Sequence, residues 1–451
     1  MKLIANTKEI AQFLGLTIQG NVAIQDFQID SRKIKQNSVF LGLKGANEDG
    51  GIYYDQALKK GAALVIIKDT IELKAKSLDQ KIIRVKSPEK TLIKIAEQAL
   101  NKFKEPIIGI TGSNGKTTTK NILNSGIKNS FATFQNFNNE IGLPLSALAL
   151  DSKNTIAIFE MGAAKKGDIH FLSKIIQPNI GIITHIGHSH LTGLHSLKGV
   201  LDVKSELVTQ VRASGAAILP YGEYVAHWKK MRDDIKFYTF GFASSASFFA
   251  SNIKVNEKGT NFLIQSEYLN NGLKISTPLL GNHNVLNILA AFAAIYESQS
   301  DIDFFVKSLK IFQNSEHRLQ LGKWINQSTL IDDSYNANPD SVRAAIDVLS
   351  QLKDRKVVIL GDMLELGRYQ KKLHMEIGEY AKMHGVDLLI GLGDLTRHSV
   401  SSFGPNGFFF KVKSDLIKFL KTEISKKDNI LLKGSRGMKM EELLRIGKND
   451  D

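Results

Sequence analysis

The sequence contains no cysteine, and it has no apolar run long enough to cross a membrane. The absence of cysteine excludes thiolate metal sites, a cysteine nucleophile and a disulfide framework. A membrane-spanning helix needs roughly 20 apolar residues, and no stretch of the sequence approaches that length. The first residues turn polar after three apolar positions, which is unlike a secretory signal. We therefore expect a cytoplasmic protein without a membrane span.

The length and charge of the chain indicate several domains and an anionic ligand. At 451 residues the chain is too long for one core, and such a length suggests about three domains. The formal net charge of +14 is compatible with a nucleic-acid surface or with attraction of a polyanionic substrate to a cleft. The lysines are scattered in pairs such as Lys59–Lys60, without a dense basic block that includes aromatic residues. This pattern argues against nucleic-acid binding.

The stretch 107–123 has the order of a phosphate-binding site, and it reads I-I-G-I-T-G-S-N-G-K-T-T-T-K-N-I-L. An apolar run predicts a buried strand, the glycines predict a tight turn, and Lys116 opens a predicted helix. Lys116 can reach terminal phosphates, and the hydroxyl of Thr117 or Thr118 can bind Mg²⁺. Ile110 stands where the strict eight-residue pattern has glycine, so the loop is the shorter G-x-x-G-K-T type.

Polar residues follow the next two predicted strands. Glu160 ends the apolar run N-T-I-A-I-F-E, and the strand that begins at Ile180 is followed by His185, His188 and His190. Carboxyl ends of parallel strands face the ligand crevice of an open α/β sheet. We therefore expect Glu160 at a Mg²⁺ site and at least one histidine on metal or phosphate.

Two further groups allow more than one interpretation. Lys204 and Glu206 stand two residues apart, and by themselves they favour an exposed ion pair on a helix face. Asn282, Asn284 and Asn287 begin a strongly apolar predicted helix. Their amides could cap that helix or contact a base.

The alternation of strand and helix patterns predicts an α/β protein of three domains. We expect a small N-terminal α/β domain at 1–103, a central P-loop domain with a mostly parallel sheet at 104–312, and a C-terminal Rossmann-like domain at 313–451. The segment G-L-G-D-L-T at 391–396 lacks the third glycine of a dinucleotide fingerprint, so it predicts an ordinary strand-to-helix turn. D-S-R at 30–32 could bind a diphosphate or form a plain turn.

Taken together and in this order, the motifs resemble the Mur ligase family. The matching segments span residues 112–438 and include G-S-N-G-K-T-T, N-N-E-I-G-L-P, E-M-G, H-S-H-L, K-S-E-L, G-N-H-N-V-L-N, D-D-S-Y-N-A-N-P-D-S, G-D-M-L-E-L-G and L-K-G-S-R-G-M. The ATP-site motifs are shared with folylpolyglutamate synthases, whereas D-D-S-Y-N-A-N-P-D-S is typical of the family member that adds a dipeptide. The arginine-containing D-N-P motif of the diaminopimelate-adding member is absent. His185 departs from the family, which usually has Asn there, and so does L-P-Y-G-E at 219–223.

The resemblance implies an ATP-dependent ligase that adds D-alanyl-D-alanine to UDP-N-acetylmuramoyl-tripeptide through an acyl phosphate, as a monomer, with ATP and Mg²⁺ as cofactors. The residues implied to bind the nucleotide are Thr111, Gly112, Ser113, Asn114, Gly115, Lys116, Thr117, Thr118, Asn284, Arg318 and Asp333. Those implied to bind the other substrates, with the uridine diphosphate end on the first domain, are Ser31, Arg32, Asn138, Asn139, Tyr335, Asn336 and Asn338. The implied Mg²⁺ ligands are Thr117, Glu160, His190 and Lys204, the last as a carbamate. The implied catalytic residues are Lys116, His190 and Lys204.

Two alternatives remain open from the sequence. A folylpolyglutamate-type amide ligase would share the ATP site but would not need the tyrosine–asparagine segment at 335–338. A P-loop ATPase that acts as a switch or a nucleic-acid motor would fit the basic charge. It should show a strand ending in D-E-x-x or a second basic motif, and the sequence has neither.

Overall fold

The computed structural model describes residues 2–18, 20–73, 81–134, 136–256 and 259–448. These residues form a three-domain α/β protein with three separate sheets, which confirms the predicted fold class. In the described ranges, none of the helices has both the length and the apolar character needed to cross a membrane.

The N-terminal sheet has four parallel strands in the order β1-β2-β3-β4. Its elements are α1 (Thr7–Phe13), β1 (Phe27–Gln28), β2 (Val39–Leu41), α2 (Tyr54–Lys59), β3 (Leu64–Lys68), β4 (Ile82–Val85) and α3 (Pro88–Lys102). Helix α3 begins where the sequence provides a cap, because the Ser87 side chain accepts a hydrogen bond from the Lys90 amide and Pro88 occupies the first turn. Helix α3 leads directly into the central sheet.

The central sheet has nine strands in the order β13-β12-β11-β10-β9-β8-β5-β7-β6. All neighbouring strands are parallel except for the pairs β11–β12 and β12–β13. The strands are β5 (Ile107–Thr111), β6 (Phe131–Ala132), β7 (Ala157–Glu160), β8 (Ile180–Ile183), β9 (Ala216–Pro220), β10 (Lys236–Gly241), β11 (Phe248–Asn256), β12 (Gly259–Gln265) and β13 (Leu273–Thr277). The helices are α4 (Lys116–Gly126), α5 (Gly142–Ala147), α6 (Asp168–Ile176), α7 (Leu191–Leu194), α8 (Leu197–Gln210), α9 (Val225–Lys229), α10 (Asn282–Glu297) and α11 (Ile302–Lys310).

Strand β5 determines where this sheet can bind a ligand. It lies between β8 and β7, so the chain continues on one side of it with β7 and on the other side with β8. A crevice opens at the carboxyl end of a strand where the strand order reverses in this way. Every residue of β5 is buried, and Ile110 belongs to the apolar core shared with α4 and α10. Ile110 is therefore part of the strand, which explains why the glycine loop begins only after it.

The C-terminal sheet has six strands in the order β14-β15-β19-β16-β17-β18, all parallel except for the β14–β15 pair. Its elements are β14 (Gln320–Lys323), β15 (Thr329–Asp333), α12 (Pro339–Ser350), β16 (Lys356–Gly361), α13 (Gln370–Met383), β17 (Leu388–Leu392), α14 (Thr396–Phe403), β18 (Gly407–Phe410), α15 (Lys413–Glu423) and β19 (Asn429–Lys433). The segment 391–396 connects β17 to α14, so the prediction of an ordinary turn there is confirmed. Asn338 caps α12 in a capping box with Ser341, and Pro339 occupies the first turn.

Candidate active site

A cleft of about 1980 Å³ lies between the loop that follows β5 and the segment that leads into α12. Its lining includes most of the predicted site residues: Ser113, Asn114, Gly115, Lys116, Thr117, Thr118, Asn138, Asn139, Glu160, His190, Asn284, Arg318, Asp333, Tyr335, Asn336 and Asn338. The predicted residues outside this lining are Ser31, Arg32, Thr111, Gly112 and Lys204. The fold thus joins the central and C-terminal motifs at one site and leaves the N-terminal D-S-R motif elsewhere.

The glycines of the loop are required by close contacts. Both have backbone angles that favour glycine, with φ of 147° at Gly112 and 84° at Gly115. A Cβ atom on Gly112 would lie 2.1 Å from the Thr184 hydroxyl, and one on Gly115 would lie 2.2 Å from the Asn287 side-chain oxygen. The loop therefore packs tightly between the end of β8 and the start of α10.

Lys116 lies within this loop, and its Nζ donates to the Gly112 carbonyl at 2.6 Å. Burial lowers the pKa of Lys116, Glu160 raises it and Arg318 lowers it further. The Lys116 ammonium therefore lies in a poorly solvated position, where a nearby anion would stabilise its charge. Such a position suits a phosphate ligand.

Hydrogen bonds hold the loop to the segment after β8. The Ser113 amide donates to the His185 carbonyl at 2.8 Å, and the Ser113 hydroxyl donates to the Gly187 carbonyl at 2.9 Å. The Thr184 hydroxyl donates to the Asn114 carbonyl at 2.5 Å. The loop is thus held in place by hydrogen bonds to its neighbours.

Glu160 ends β7 in the cleft, as predicted, and is 3% exposed. Its Oε1 accepts a hydrogen bond from the Asn138 amide at 3.1 Å. Its Oε2 accepts none from the described residues, and the Lys120 Nζ lies 3.7 Å away. A buried carboxylate oxygen without a donor suits a hard cation such as Mg²⁺. The described residues contain no cluster of three His, Asp or Glu ligands, so such a cation would need oxygen atoms from the ligand as well.

The three histidines after β8 have different environments. His185 is half-buried, its Nδ1 has no hydrogen-bond partner among the described residues, and burial lowers its pKa. His188 is near Asp340, whose carboxylate raises its pKa. His190 is hydrogen-bonded through Nδ1 to Glu365 at 2.5 Å, while burial lowers its pKa. Because Glu365 occupies Nδ1, Nε2 of His190 is the ring nitrogen left for a ligand.

The expected exposed ion pair between Lys204 and Glu206 is wrong. Lys204 is 1% exposed, and burial together with the Lys116 charge lowers its pKa to about 7. Glu206 instead accepts hydrogen bonds from the amides of Gly167 and His170. The two side chains point to different surroundings because positions two apart on a helix lie on different faces.

The interpretation of the three asparagines as helix caps is also wrong. Gly281 is the N-cap residue of α10, and no side chain caps the helix. Asn284 is buried and donates to the Leu280 carbonyl at 2.8 Å, and its oxygen accepts from the Asn287 amide at 3.1 Å. Asn284 lines the cleft, so the contact with a base remains a prediction.

The segments before β14 and after β15 supply residues that reach the phosphate loop. Arg318 donates to the Thr117 hydroxyl at 3.3 Å. The side-chain amides of Asn338 and Asn114 exchange hydrogen bonds of 2.8 and 3.2 Å. The Arg318 guanidinium also lies 4.2 Å from the centre of the Tyr335 ring. The cleft is therefore bridged by contacts between its two sides.

Asp333 forms a second set of contacts at the end of β15. It pairs with Lys433, which also donates to the Asn336 carbonyl at 2.9 Å. It accepts a hydrogen bond from the Leu319 amide at 3.2 Å, next to Arg318. Asp333 thus orders the segment that carries Arg318.

Two charged residues of the cleft lining, Lys120 and Glu365, were not predicted from the sequence as site residues. Lys120 lies one helical turn after Lys116 and donates to the Thr133 carbonyl at 3.0 Å. That spacing was a usable signal, because positions i and i+4 share a helix face. Glu365 belongs to a loop, and nothing in its local sequence indicates a partner 175 residues away.

The D-S-R motif does not contribute to this cleft. The Ser31 hydroxyl donates to Gln56 at 2.6 Å, and Arg32 is exposed and paired with Asp30 at 2.9 Å. Asp30 also caps the short 3₁₀ turn Ser31–Lys33. The motif therefore makes a helical turn, and its role as a diphosphate site stays a prediction.

A phosphate loop at a strand switch point, facing arginine, lysine and amide groups of a second α/β domain, defines a P-loop nucleotide-binding enzyme with an interdomain active site. Three family models match the chain in order, described as the Mur ligase family catalytic domain (residues 23–100), the Mur ligase middle domain (110–295) and the Mur ligase glutamate ligase domain (317–436). The chain belongs to the Mur ligase family.

Individual relatives match over nearly the whole chain. The UDP-N-acetylmuramoyl-tripeptide–D-alanyl-D-alanine ligase of Buchnera aphidicola subsp. Baizongia pistaciae is 33% identical, over 98% of this chain and 96% of its own. A crystal structure of MurF from Acinetobacter baumannii is 27% identical with a TM-score of 0.87, covering 97% of this chain and 96% of that one. The MurF ligase of Thermotoga maritima, in complex with ADP, is 25% identical with a TM-score of 0.83, covering 94% and 97%.

Proposed function

We propose that this chain is an ATP-dependent ligase that joins D-alanyl-D-alanine to UDP-N-acetylmuramoyl-tripeptide and forms ADP and phosphate. The observation that carries the proposal is the bridge across the cleft. The dipeptide-ligase motif at 332–341 meets the phosphate loop through Asn338 and Asn114. A P-loop ATPase that acts on nucleic acid has no need of such a contact, and the named relatives match from end to end.

The residues of the cleft suit the activation of a carboxylate by ATP. The terminal carboxylate of the tripeptide attacks the γ-phosphorus, the bond to the bridging oxygen of ADP breaks, and an acyl phosphate forms. Two anions must approach each other, so Lys116, Arg318 and the loop amides neutralise charge as it shifts. The dipeptide amine then attacks the acyl carbon, and phosphate leaves as the amide forms. Arg318 and Lys116 lie on different domains, so the arrangement depends on domain closure.

The donor set of the cleft fits Mg²⁺. Thr117 and Glu160 would hold one ion, and His190 would hold a second together with a modified Lys204, which lies outside the cleft lining in this structure. Mg²⁺, when bound, stabilises the charge that develops on the transferring phosphoryl group. The first assignment is supported by Oε2 of Glu160, which accepts no hydrogen bond from the described residues.

Lys204 would contribute as a carbamate. A neutral amine is needed, and its pKa of about 7 makes that form abundant at neutral pH. The amine nitrogen forms a bond to the carbon of CO₂ and releases one proton, which leaves one negative charge on two oxygens. The product is the kind of ligand that Mg²⁺ prefers.

The remaining assignments follow from the same function. The N-terminal domain, at 1–103, would bind the uridine diphosphate end of the substrate near Ser31 and Arg32. The central and C-terminal domains would be 104–312 and 313–451. A monomeric state and a cytoplasmic location, where ATP is available, are part of the same proposal.

The test is a ligation assay with purified protein, ATP, Mg²⁺ and both substrates. The pentapeptide product is identified by mass, and phosphate release is measured in parallel. We expect phosphate release to depend on both the tripeptide and the dipeptide.

Two controls separate the alternatives. Release stimulated by a folate and glutamate would indicate a folylpolyglutamate-type ligase, and release stimulated by DNA would indicate a nucleic-acid motor. Either result, without pentapeptide formation, would contradict the proposal.

A further inference from the structure

The incoming dipeptide carries a carboxylate at the end opposite its reacting amine, and nothing above assigns a partner to that group. The question rests on the proposed function, since it concerns the second substrate of that reaction. A carboxylate held in a cleft is usually paired with a cation, and arginine suits it best because of its planar set of donors. On the C-terminal side of the cleft the cationic lining residues are Arg318, Lys433 and Arg436.

Two of these three cations are already engaged. Arg318 donates to Thr117 on the phosphate loop, so its charge lies at the nucleotide. Lys433 is 2% exposed and is paired with Asp333. Lys433 cannot turn toward a second anion without breaking contacts that order the site, and Arg318 is placed for the nucleotide.

Arg436 differs from the other two in position, because its side chain is 59% exposed and its hydrogen bonds go to Asn336 and Glu441 rather than to the phosphate loop. It follows β19 at the start of the 3₁₀ turn Arg436–Met438. Its guanidinium lies 5.7 Å from the centre of the Tyr335 ring, and its amide donates to the Asn336 side chain at 3.3 Å. It therefore contacts two of the residues predicted to bind substrate.

The Arg436 guanidinium is held in place by a hydrogen bond from only one of its three nitrogens. Nη1 donates to Glu441 at 2.7 Å, and the side chain is 59% exposed. Within the described part of the chain, Nε and Nη2 make no hydrogen bond. An arginine that lines the cleft and is held at one nitrogen is well prepared to bind a carboxylate through its other donors.

We propose that Arg436 binds the terminal carboxylate of the incoming dipeptide and so makes the enzyme select an acceptor that ends in a free carboxylate. The contact lies on the C-terminal side of the cleft, away from the phosphate loop. It fixes the far end of the dipeptide so that the amine faces the activated carbonyl.

The test compares D-alanyl-D-alanine with its C-terminal amide, which keeps the amine and removes the negative charge. The kcat/KM for each is measured with the wild type, with Arg436→Ala and with Arg436→Lys. We expect the wild type to prefer the acid and Arg436→Ala to lose roughly 10- to 100-fold on the acid, the usual effect of one charged hydrogen-bonded contact. Arg436→Ala should lose little of its kcat/KM for the amide, so the preference for the acid disappears. Arg436→Lys should restore part of it, because it restores the charge but not the planar donors.

Arg368→Ala is the matched control. Arg368 also stacks on a tyrosine of the C-terminal domain, 5.0 Å from the centre of the Tyr369 ring, but it does not line the cleft. It should keep the wild-type preference. The KM values for ATP and for the tripeptide, with a thermal melt, show whether Arg436→Ala is folded, and we expect them to stay close to wild type.

Three results would overturn the proposal. One is a wild type that uses acid and amide equally well, and another is Arg436→Ala with the wild-type preference intact. The third involves Lys165 and Lys166, which line the cleft on the side of the central sheet. If a Lys165→Ala, Lys166→Ala double variant lost the preference for the acid over the amide while Arg436→Ala kept it, the carboxylate would bind there instead. A wild type that ligates neither acceptor would instead contradict the proposed function, so the two failures can be distinguished.

Discussion

Replacement of Lys204 by methionine should stabilise the protein while it removes ligation. Methionine has a similar shape and no charge, and Lys204 is 1% exposed. An unfolded chain holds its lysines protonated at pH 7, whereas the folded chain lowers the pKa of Lys204 from 10.5 to about 7. Burial is the main cause, so folding must either bury a charge or release a proton.

The size and sign of the effect follow from the two pKa values. Since the folded pKa is the lower one, the protonated lysine opposes folding, fully below pH 7 and progressively less as the pH rises toward 10.5. The penalty corresponds to about 4 kcal/mol at pH 7. Lys204→Met should gain stability of this order at pH 6 to 7 and little near pH 10. The wild type should therefore become more stable with rising pH relative to the variant.

Urea unfolding in CO₂-free buffer, at several pH values, measures this difference. The chain has two tryptophans, and Trp228 reports on the right region because its indole donates to Ser205, the neighbour of Lys204, at 2.7 Å. A Trp324→Phe background leaves Trp228 as the sole reporter. Lys198→Met, at an exposed position of the same helix, is the control and should gain nothing. The reasoning would be refuted if Lys204→Met were less stable than the wild type. It would also be refuted if the stability of the variant changed with pH in the same way as that of the wild type.

Three further substitutions test the cleft. Lys116→Ala should lower kcat by roughly 10²–10³ with an intact fold, because it removes a charge aimed at the transferring phosphoryl group; near-normal turnover at saturating ATP would contradict the phosphate-loop assignment. Asp333→Ala should raise the KM for ATP, since Asp333 orders the segment carrying Arg318 and pairs with Lys433. Unchanged ATP kinetics with a lower melting temperature would make it a structural residue only. Asn338→Ala should cost about 1 kcal/mol of stability through loss of the helix cap and should also slow ligation. Asn338→Ser should recover the stability but not the rate, and full recovery of both would show that the bridging amide is unimportant.

The sequence was sufficient to predict the structure where a few neighbouring residues determine it. The strand, turn and helix around Lys116 and the strand end at Glu160 were predicted, because apolar runs and glycines act over a few residues. Three sheets were also implied by the alternation of patterns along the chain.

The sequence was insufficient where the surroundings of a side chain depend on tertiary burial or on a partner far away in the chain. Lys204 looked like a surface residue, because a charged residue in a helix is usually exposed, and only the tertiary packing makes it buried. The partner of His190 is Glu365, from another domain, and such a pair has no local signature. The asparagines of α10 were open to two interpretations because an amide side chain both donates and accepts, and only its neighbours determine which groups it meets.

The size of the cleft has a consequence for inhibitors. Its volume of about 1980 Å³ is nearly twice the upper end of the range of usual small-molecule pockets, which is about 300–1,000 Å³. A compound that occupies only the phosphate loop leaves the opposite wall unused and competes with abundant cellular ATP. A compound with one part on the loop and another on the Tyr335 side gains both contacts through a single linker, and it resists displacement because one end remains bound while the other dissociates. The bridging contacts of Asn338 and Arg318 indicate how short that linker can be, since side chains already span the gap.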